Sequence, residues 1–182
     1  MTENPSTLIN LEKPIEMTGK IPEDKAVFYE LAQERVTFQS REESSRWRQR
    51  HGFTNETTAT HAVQLCFTQE PKGNVRQFVK GLEIMVNLGY FEELSKAENK
   101  DYTNLIPYII EHEIYEAWLY AKKGIGGKLN NQQRHLLARR REFYLAAKDG
   151  MLNHLIEFLM LTNPEKEEEY NQALEYVQRR NK

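Results

Sequence analysis

The chain has 182 residues and a formal net charge of -2 at pH 7, so its overall charge gives no general attraction to nucleic acid. This length suits one domain with a single core, and one cysteine, Cys66, excludes an internal disulfide framework. There is no apolar run near the ~20 residues that a membrane span needs, and no basic start followed by an apolar segment as in a secretory signal. We therefore expect a soluble, cytoplasmic protein without a membrane partner.

The N-terminal region is polar and rich in proline. Residues 1–21 contain Pro5 and Pro14, which predicts a loosely held arm with one short strand at residues 8–11. We expect residues 22–182 to form a single α+β domain.

Two helices are predicted after this arm. Pro22 suits a first helical turn, and apolar residues then recur at helical spacing through Phe28, Ala32 and Val36. Residues 40–52 are strongly polar and end at Gly52, which predicts a second, solvent-facing helix.

The middle of the chain predicts a small antiparallel sheet. Residues 60–68 alternate, with Val63 and Leu65 facing one way. A turn at residues 70–74 precedes a second predicted strand at 75–79, and residues 82–86 alternate again. The segment 82–93 is also compatible with a helix.

The last part of the chain predicts packed helices. Apolar periodicity indicates helices at residues 105–124, 131–148 and 151–161. Asn163 followed by Pro164 predicts the start of a fourth helix. The expected fold is thus N-terminal helices, a small antiparallel sheet and C-terminal packed helices.

The strongest chemical signal lies in the first of these C-terminal helices. His112-Glu113-x-x-Glu116 places His112 and Glu116 one turn apart on the same side of the helix. A helical wheel puts Glu113 within the apolar arc, where an unpaired carboxylate is costly. Glu113 therefore requires an ion pair, a raised pKa or a chemical role.

This motif resembles the active-site helix of zincin metallopeptidases, in particular the small gluzincin-like ones, whose pattern is His-Glu-x-x-His. The resemblance implies that His112 is a zinc ligand and that Glu113 is the base that activates a metal-bound water. Glu116 stands where the family has its second histidine, and His135 on the next helix would restore a set of two imidazoles and one carboxylate. The small sheet ahead of the helix also resembles zincin topology, in which an edge strand holds an extended peptide. The implied function is a zinc-dependent hydrolase, with a peptide or protein as substrate.

A structural interpretation of the same residues remains open. Arg139, Arg140 and Arg141 lie on the next helix and are able to neutralise Glu113 or Glu116 without a metal. Glu142 is either an acceptor behind a ligand imidazole or a partner of a neighbouring arginine. In this case the protein is a non-catalytic interaction or regulatory module with a His/Glu/Arg cluster.

A third hypothesis is nucleic-acid binding. The run from Arg46 through Trp47, Arg48 and Arg50 combines basic groups with an aromatic ring that is suited to base stacking. Neighbouring carboxylates and the acidic net charge disfavour this hypothesis.

Overall fold

A computed structural model describes residues 23–53, 62–67, 75–123 and 129–180 of the chain. The predicted arm at residues 1–21, its short strand at 8–11 and the predicted turn at 70–74 lie outside these ranges.

The described residues form eight α-helices, three strands and two short 3-10 turns, which confirms the α+β class with a helix-rich C-terminal part. In chain order these are α1 (Glu23–Gln33), β1 (Val36–Gln39), α2 (Arg41–Arg50), β2 (Val63–Phe67), α3 (Val75–Lys80), β3 (Leu82–Asn87), α4 (Leu88–Glu98), a 3-10 turn (Thr103–Leu105), α5 (Ile106–Lys123), α6 (Asn131–Lys148), α7 (Leu152–Thr162), a second 3-10 turn (Pro164–Lys166) and α8 (Glu167–Arg180).

The sheet is mixed, not antiparallel as predicted. Its order is β1-β3-β2, with β1 parallel and β2 antiparallel to the central β3. Leu82, Ile84 and Val86 of β3 join the main core, whereas Glu83 on the opposite face accepts a hydrogen bond from the Trp47 indole of α2 at 2.9 Å. The sheet therefore has helices on both faces.

Two predicted elements in this region were wrong. Val36 belongs to β1 rather than to the first helix, and residues 75–79 form α3 rather than a strand. Phe78 and Val79 are adjacent and both buried, a pattern that a strand with one solvated face would not show. Over only six residues, the spacing of apolar side chains fits both the strand period and the helix period. The packing of α3 against α1 therefore decides that this segment is a helix.

The ambiguous segment 82–93 contains both structures that its pattern allows. β3 runs to Asn87, whose side chain then caps α4 by accepting from the Tyr90 N–H at 3.1 Å. Gly89 permits a close approach between α4 and α2, because a Cβ there would lie 2.9 Å from the Arg41 backbone nitrogen.

The C-terminal helices follow the predicted bounds closely. Asn130 caps α6 in a capping box with Gln133, and α7 begins and ends one residue later than predicted. Asn163, in contrast, makes no side-chain cap, and Pro164 opens a 3-10 turn ahead of α8.

Helix α5 occupies the centre of the domain. It packs against β2 and β3 on one side and against α6 on another. Within the described ranges, no helix combines the length and apolarity needed to cross a membrane.

Candidate metal centre

The structure brings together the three side chains that the motif and its resemblance singled out as metal ligands. His112, Glu116 and His135 each offer one ligand atom, and these atoms lie within 4.8 Å of one another. His112 Nε2 is 3.8 Å from a Glu116 carboxylate oxygen, and the two imidazole rings have their centroids 4.6 Å apart. The site is therefore formed where the middle of α5 packs against the beginning of α6.

His112 is a neutral imidazole in this environment. Its side chain is buried, with 1% of the residue surface exposed. Burial lowers the pKa of His112 well below its ordinary value, and the positive charge of Arg139 lowers it further. A neutral imidazole keeps one nitrogen lone pair for a ligand.

A carboxylate lies behind each imidazole. His112 Nδ1 donates to Glu142 at 3.0 Å, and His135 Nδ1 donates to Glu169 at 2.8 Å. With Nδ1 as the donor to the carboxylate, Nε2 is the nitrogen left to bind a metal in both rings. Carboxylate–histidine pairs of this kind commonly orient the imidazoles of metal sites.

The Nε2 atom of His112 is an orphaned buried polar atom. It is shielded from solvent and has no hydrogen-bond partner among the residues that the structure describes. Leaving a buried acceptor unpaired costs about 1–3 kcal/mol, so such an atom calls for an explanation. The nitrogen and carboxylate donors around this point match the ligands that zinc takes in catalytic sites.

Glu113 lies beside this group and lines the same pocket. Burial, followed by the nearby charge of Glu116, raises the pKa of Glu113 to about 8. Of the three explanations that the sequence offered for this carboxylate, the burial of Glu113 favours a raised pKa, and a direct ion pair is absent among the described residues.

The structural interpretation proposed that arginines of α6 neutralise Glu113 or Glu116. The charge of Arg139 does lower the pKa of both carboxyls, but it acts without a direct ion pair to either one. Arg139 contacts Glu142 and donates from Nε to Glu169 at 3.2 Å, and Arg141 pairs with Glu111. Among the described residues, no arginine or lysine forms an ion pair with Glu113 or Glu116. Arg139 instead holds the two carboxylates that lie behind the imidazoles.

A pocket of about 360 Å³ opens at this site. Its walls are residues 62–65 at β2, the motif residues of α5, the beginning of α6 and the turn that follows α7. The strand β2 lies at an edge of the sheet. Residues of this strand, the candidate base Glu113 and the candidate ligands line the same pocket.

Two residues of the site were not singled out from the sequence, Glu169 and Lys166. Lys166 lies in the 3-10 turn before α8, with its Nζ 3.4 Å from His135 Nε2. Glu169 is in the first turn of α8, where an acidic residue is already explained by the helix dipole. No sequence signal separates either residue from ordinary surface charge.

The basic cluster proposed for nucleic acid is divided by burial. Trp47 and Arg48 are 3% and 1% exposed, and Trp47 stacks on His51 with ring centroids 4.1 Å apart. Arg46 and Arg50 are exposed. In this conformation Trp47 has no free face for a base, so the predicted stacking role is corrected.

Comparison of the chain with protein-family profiles, with curated proteins and with solved structures finds no match to any of them.

Proposed function

We propose that this chain is a zincin-like, metal-dependent hydrolase that acts on peptides. The observation that carries the proposal is the orphaned Nε2 of His112, buried within reach of Glu116 and His135. His112, Glu116 and His135 would hold the metal, and Glu142 and Glu169 would orient the two imidazoles. A bound divalent cation would supply Lewis acidity and lower the pKa of a water molecule at this point.

Glu113 is the proposed general base. Its carboxyl lines the pocket next to the ligand set, and burial raises its pKa to about 8 in the metal-free protein. The charge of a bound divalent cation would lower this pKa, so that the group would be ionised at neutral pH and able to accept a proton. It is thus suited to take a proton from the attacking water and to return it to the leaving amine.

The edge strand favours an extended peptide as substrate. Residues 62–65 line the pocket, and β2 pairs only with β3 among the described strands. The outer backbone groups of such a strand are able to pair with an extended chain. A peptide bound in this way would run past the candidate ligands.

The alternative, a structural His/Glu/Arg cluster in a non-catalytic module, is less well supported. It needs arginine partners for Glu113 and Glu116, and no described arginine forms an ion pair with them, although the charge of Arg139 acts on both. It also leaves the orphaned nitrogen of His112 without a role.

Zinc content tests the proposal directly. Purified protein reconstituted with zinc and passed over a desalting column should retain one ion per chain, measured by inductively coupled plasma mass spectrometry. His112→Ala and His135→Ala should abolish this binding, whereas Glu113→Gln should keep zinc and lose hydrolysis of a quenched-fluorescence peptide library.

His154→Ala is the matched control. His154 lies on α7 with its Nε2 2.8 Å from the Asp101 carbonyl oxygen, so its removal should leave the zinc content unchanged. Circular dichroism should show that all variants are folded. Absence of bound zinc in the folded wild-type protein would remove the metal-centre proposal.

A further inference from the structure

The candidate metal centre has a cation of its own, the ammonium group of Lys166. Lys166 Nζ lies 3.4 Å from the His135 nitrogen that would bind the metal. An ion bound to that nitrogen would stand about 2 Å from it, close to the position of the ammonium group. Two positive charges at such a separation repel strongly in a partly buried site.

Only a weak contact holds Lys166 at this position. Among the described carboxylates, none forms an ion pair with it, and its hydrogen-bond partner is the Nε2 atom of His135 at 3.4 Å. The charge of Lys166 nevertheless interacts at longer range with carboxyl groups of the site, among them Glu113 and Glu116.

The location of Lys166 allows it to leave. It is half-buried, and it ends the 3-10 turn Pro164–Lys166 between α7 and α8. Its four-carbon stem carries the charge on several rotatable bonds, so the ammonium group is able to reach solvent while the turn stays in place.

The ligand atoms lie close to the spacing that a bound ion requires. They are within 4.8 Å of one another, and His112 Nε2 is 3.8 Å from the Glu116 oxygen, whereas two atoms that each bind one zinc at about 2 Å are at most about 4 Å apart. A contraction of less than about 1 Å would therefore allow an ion to bind once Lys166 has left.

We propose that Lys166 is the resident cation of this site and competes with the divalent metal for His135, so that metal binding requires its displacement. This inference deepens the proposed function and rests on it. It makes Lys166 a residue that sets the metal affinity of the centre, and it predicts weaker binding than the same ligands would give without the lysine.

The test measures zinc affinity in the full chain by competition with a chromophoric chelator. Lys166→Leu removes the charge and adds no ligand atom, so zinc should bind at least about tenfold more tightly than in the wild type. Lys166→Gln should shift the affinity in the same direction, which protects the test if the leucine variant folds poorly. Lys166→Arg keeps a positive charge and should stay close to the wild type.

Lys96→Leu is the control for the change in net charge, because Lys96 is exposed on α4. The zinc affinity of this variant should equal that of the wild type. In metal-free protein, nitrogen NMR should show a shift of His135 Nε2 in Lys166→Leu and no shift of the His154 ring. Equal zinc affinity in the wild type and both neutral variants would overturn the inference and leave the metal centre standing. If neither the wild type nor the neutral variants bind zinc, the metal centre fails and the inference fails with it.

Discussion

The Glu113→Gln variant should change how stability depends on pH. Burial and the Glu116 charge raise the pKa of Glu113 from the ordinary 4.5 to about 8, so the folded, metal-free protein keeps this carboxyl protonated at neutral pH. At neutral pH the Glu113 carboxyl of the unfolded chain, with its ordinary pKa of 4.5, has released this proton. Glutamine imitates the neutral acid in shape and does not ionise in either state.

The sign follows from proton linkage. Between pH 4.5 and pH 8 the folded state binds one proton more than the unfolded state at Glu113, so the free energy of unfolding falls as pH rises, by up to about 1.4 kcal/mol per pH unit. His112 acts in the opposite direction below its ordinary pKa of 6.5, because burial keeps it neutral in the folded state. The interval from pH 6.5 to pH 8 excludes His112, but burial also raises the pKa of Glu142, to about 7, and that of Glu116, so these carboxyls act in the same direction. The contribution of Glu113, at most about 2 kcal/mol, is therefore obtained from the difference between the wild type and Glu113→Gln. Water in the pocket reduces this value, since Glu113 is only partly buried.

Urea unfolding of metal-free protein at several pH values in this interval measures the effect. The wild type should lose stability as pH rises, and Glu113→Gln should lose less, so that the difference between the two grows toward pH 8. Glu165→Gln is the matched control, because Glu165 lines the same pocket but is exposed. Parallel curves for the wild type and Glu113→Gln would refute a raised pKa at this position.

Two further outcomes follow from the hydrogen bonds and packing. Glu142→Gln weakens the acceptor that orients His112, so zinc affinity measured by chelator competition should fall about 10–100-fold, while Glu157→Gln, at a surface ion pair with Lys100, should leave it unchanged. An unchanged affinity in Glu142→Gln would show that this carboxylate does not support a ligand. Trp47→Ala should cost about 3–5 kcal/mol in urea unfolding and Arg46→Ala less than about 0.5 kcal/mol, because only Trp47 is buried. Similar small losses for both would mean that Trp47 lies at the surface.

The parts of the fold that were predicted from sequence are those with strong local signals. Helices α6 and α7 have long apolar periodicity and clear ends, and β3 has an alternating pattern within a buried strand. Ser40 and Glu43 form a capping box that begins α2 one residue after the predicted start.

The errors occur where tertiary contacts decide between short alternatives. The four residues of β1 form a strand because β3 pairs with them in parallel, and that pairing joins segments almost fifty positions apart. No local pattern in β1 contains this information. The same holds for α3, whose helical state depends on packing against α1.

The site shows a similar division. One turn of α5 places His112 and Glu116 together, so their proximity could be predicted from spacing alone. His135 reaches them only because α6 packs along α5, and the sequence offered it as one candidate. Lys166 and Glu169 come from the region after α7, and their approach depends on how α8 packs against α6.

The order of residues in the motif matters less than where their atoms converge. The zincin pattern takes its two imidazoles from one helix, whereas here α5 supplies His112 and Glu116, and α6 supplies His135. The proposed donor set would still be two imidazoles and one carboxylate, and each imidazole has a carboxylate behind it. Glu113 follows His112 directly and lines the same pocket as the three proposed ligands. An exchange of histidine and glutamate along the chain is therefore compatible with the same chemistry, because a metal responds to the position and type of its donor atoms and not to their sequence order.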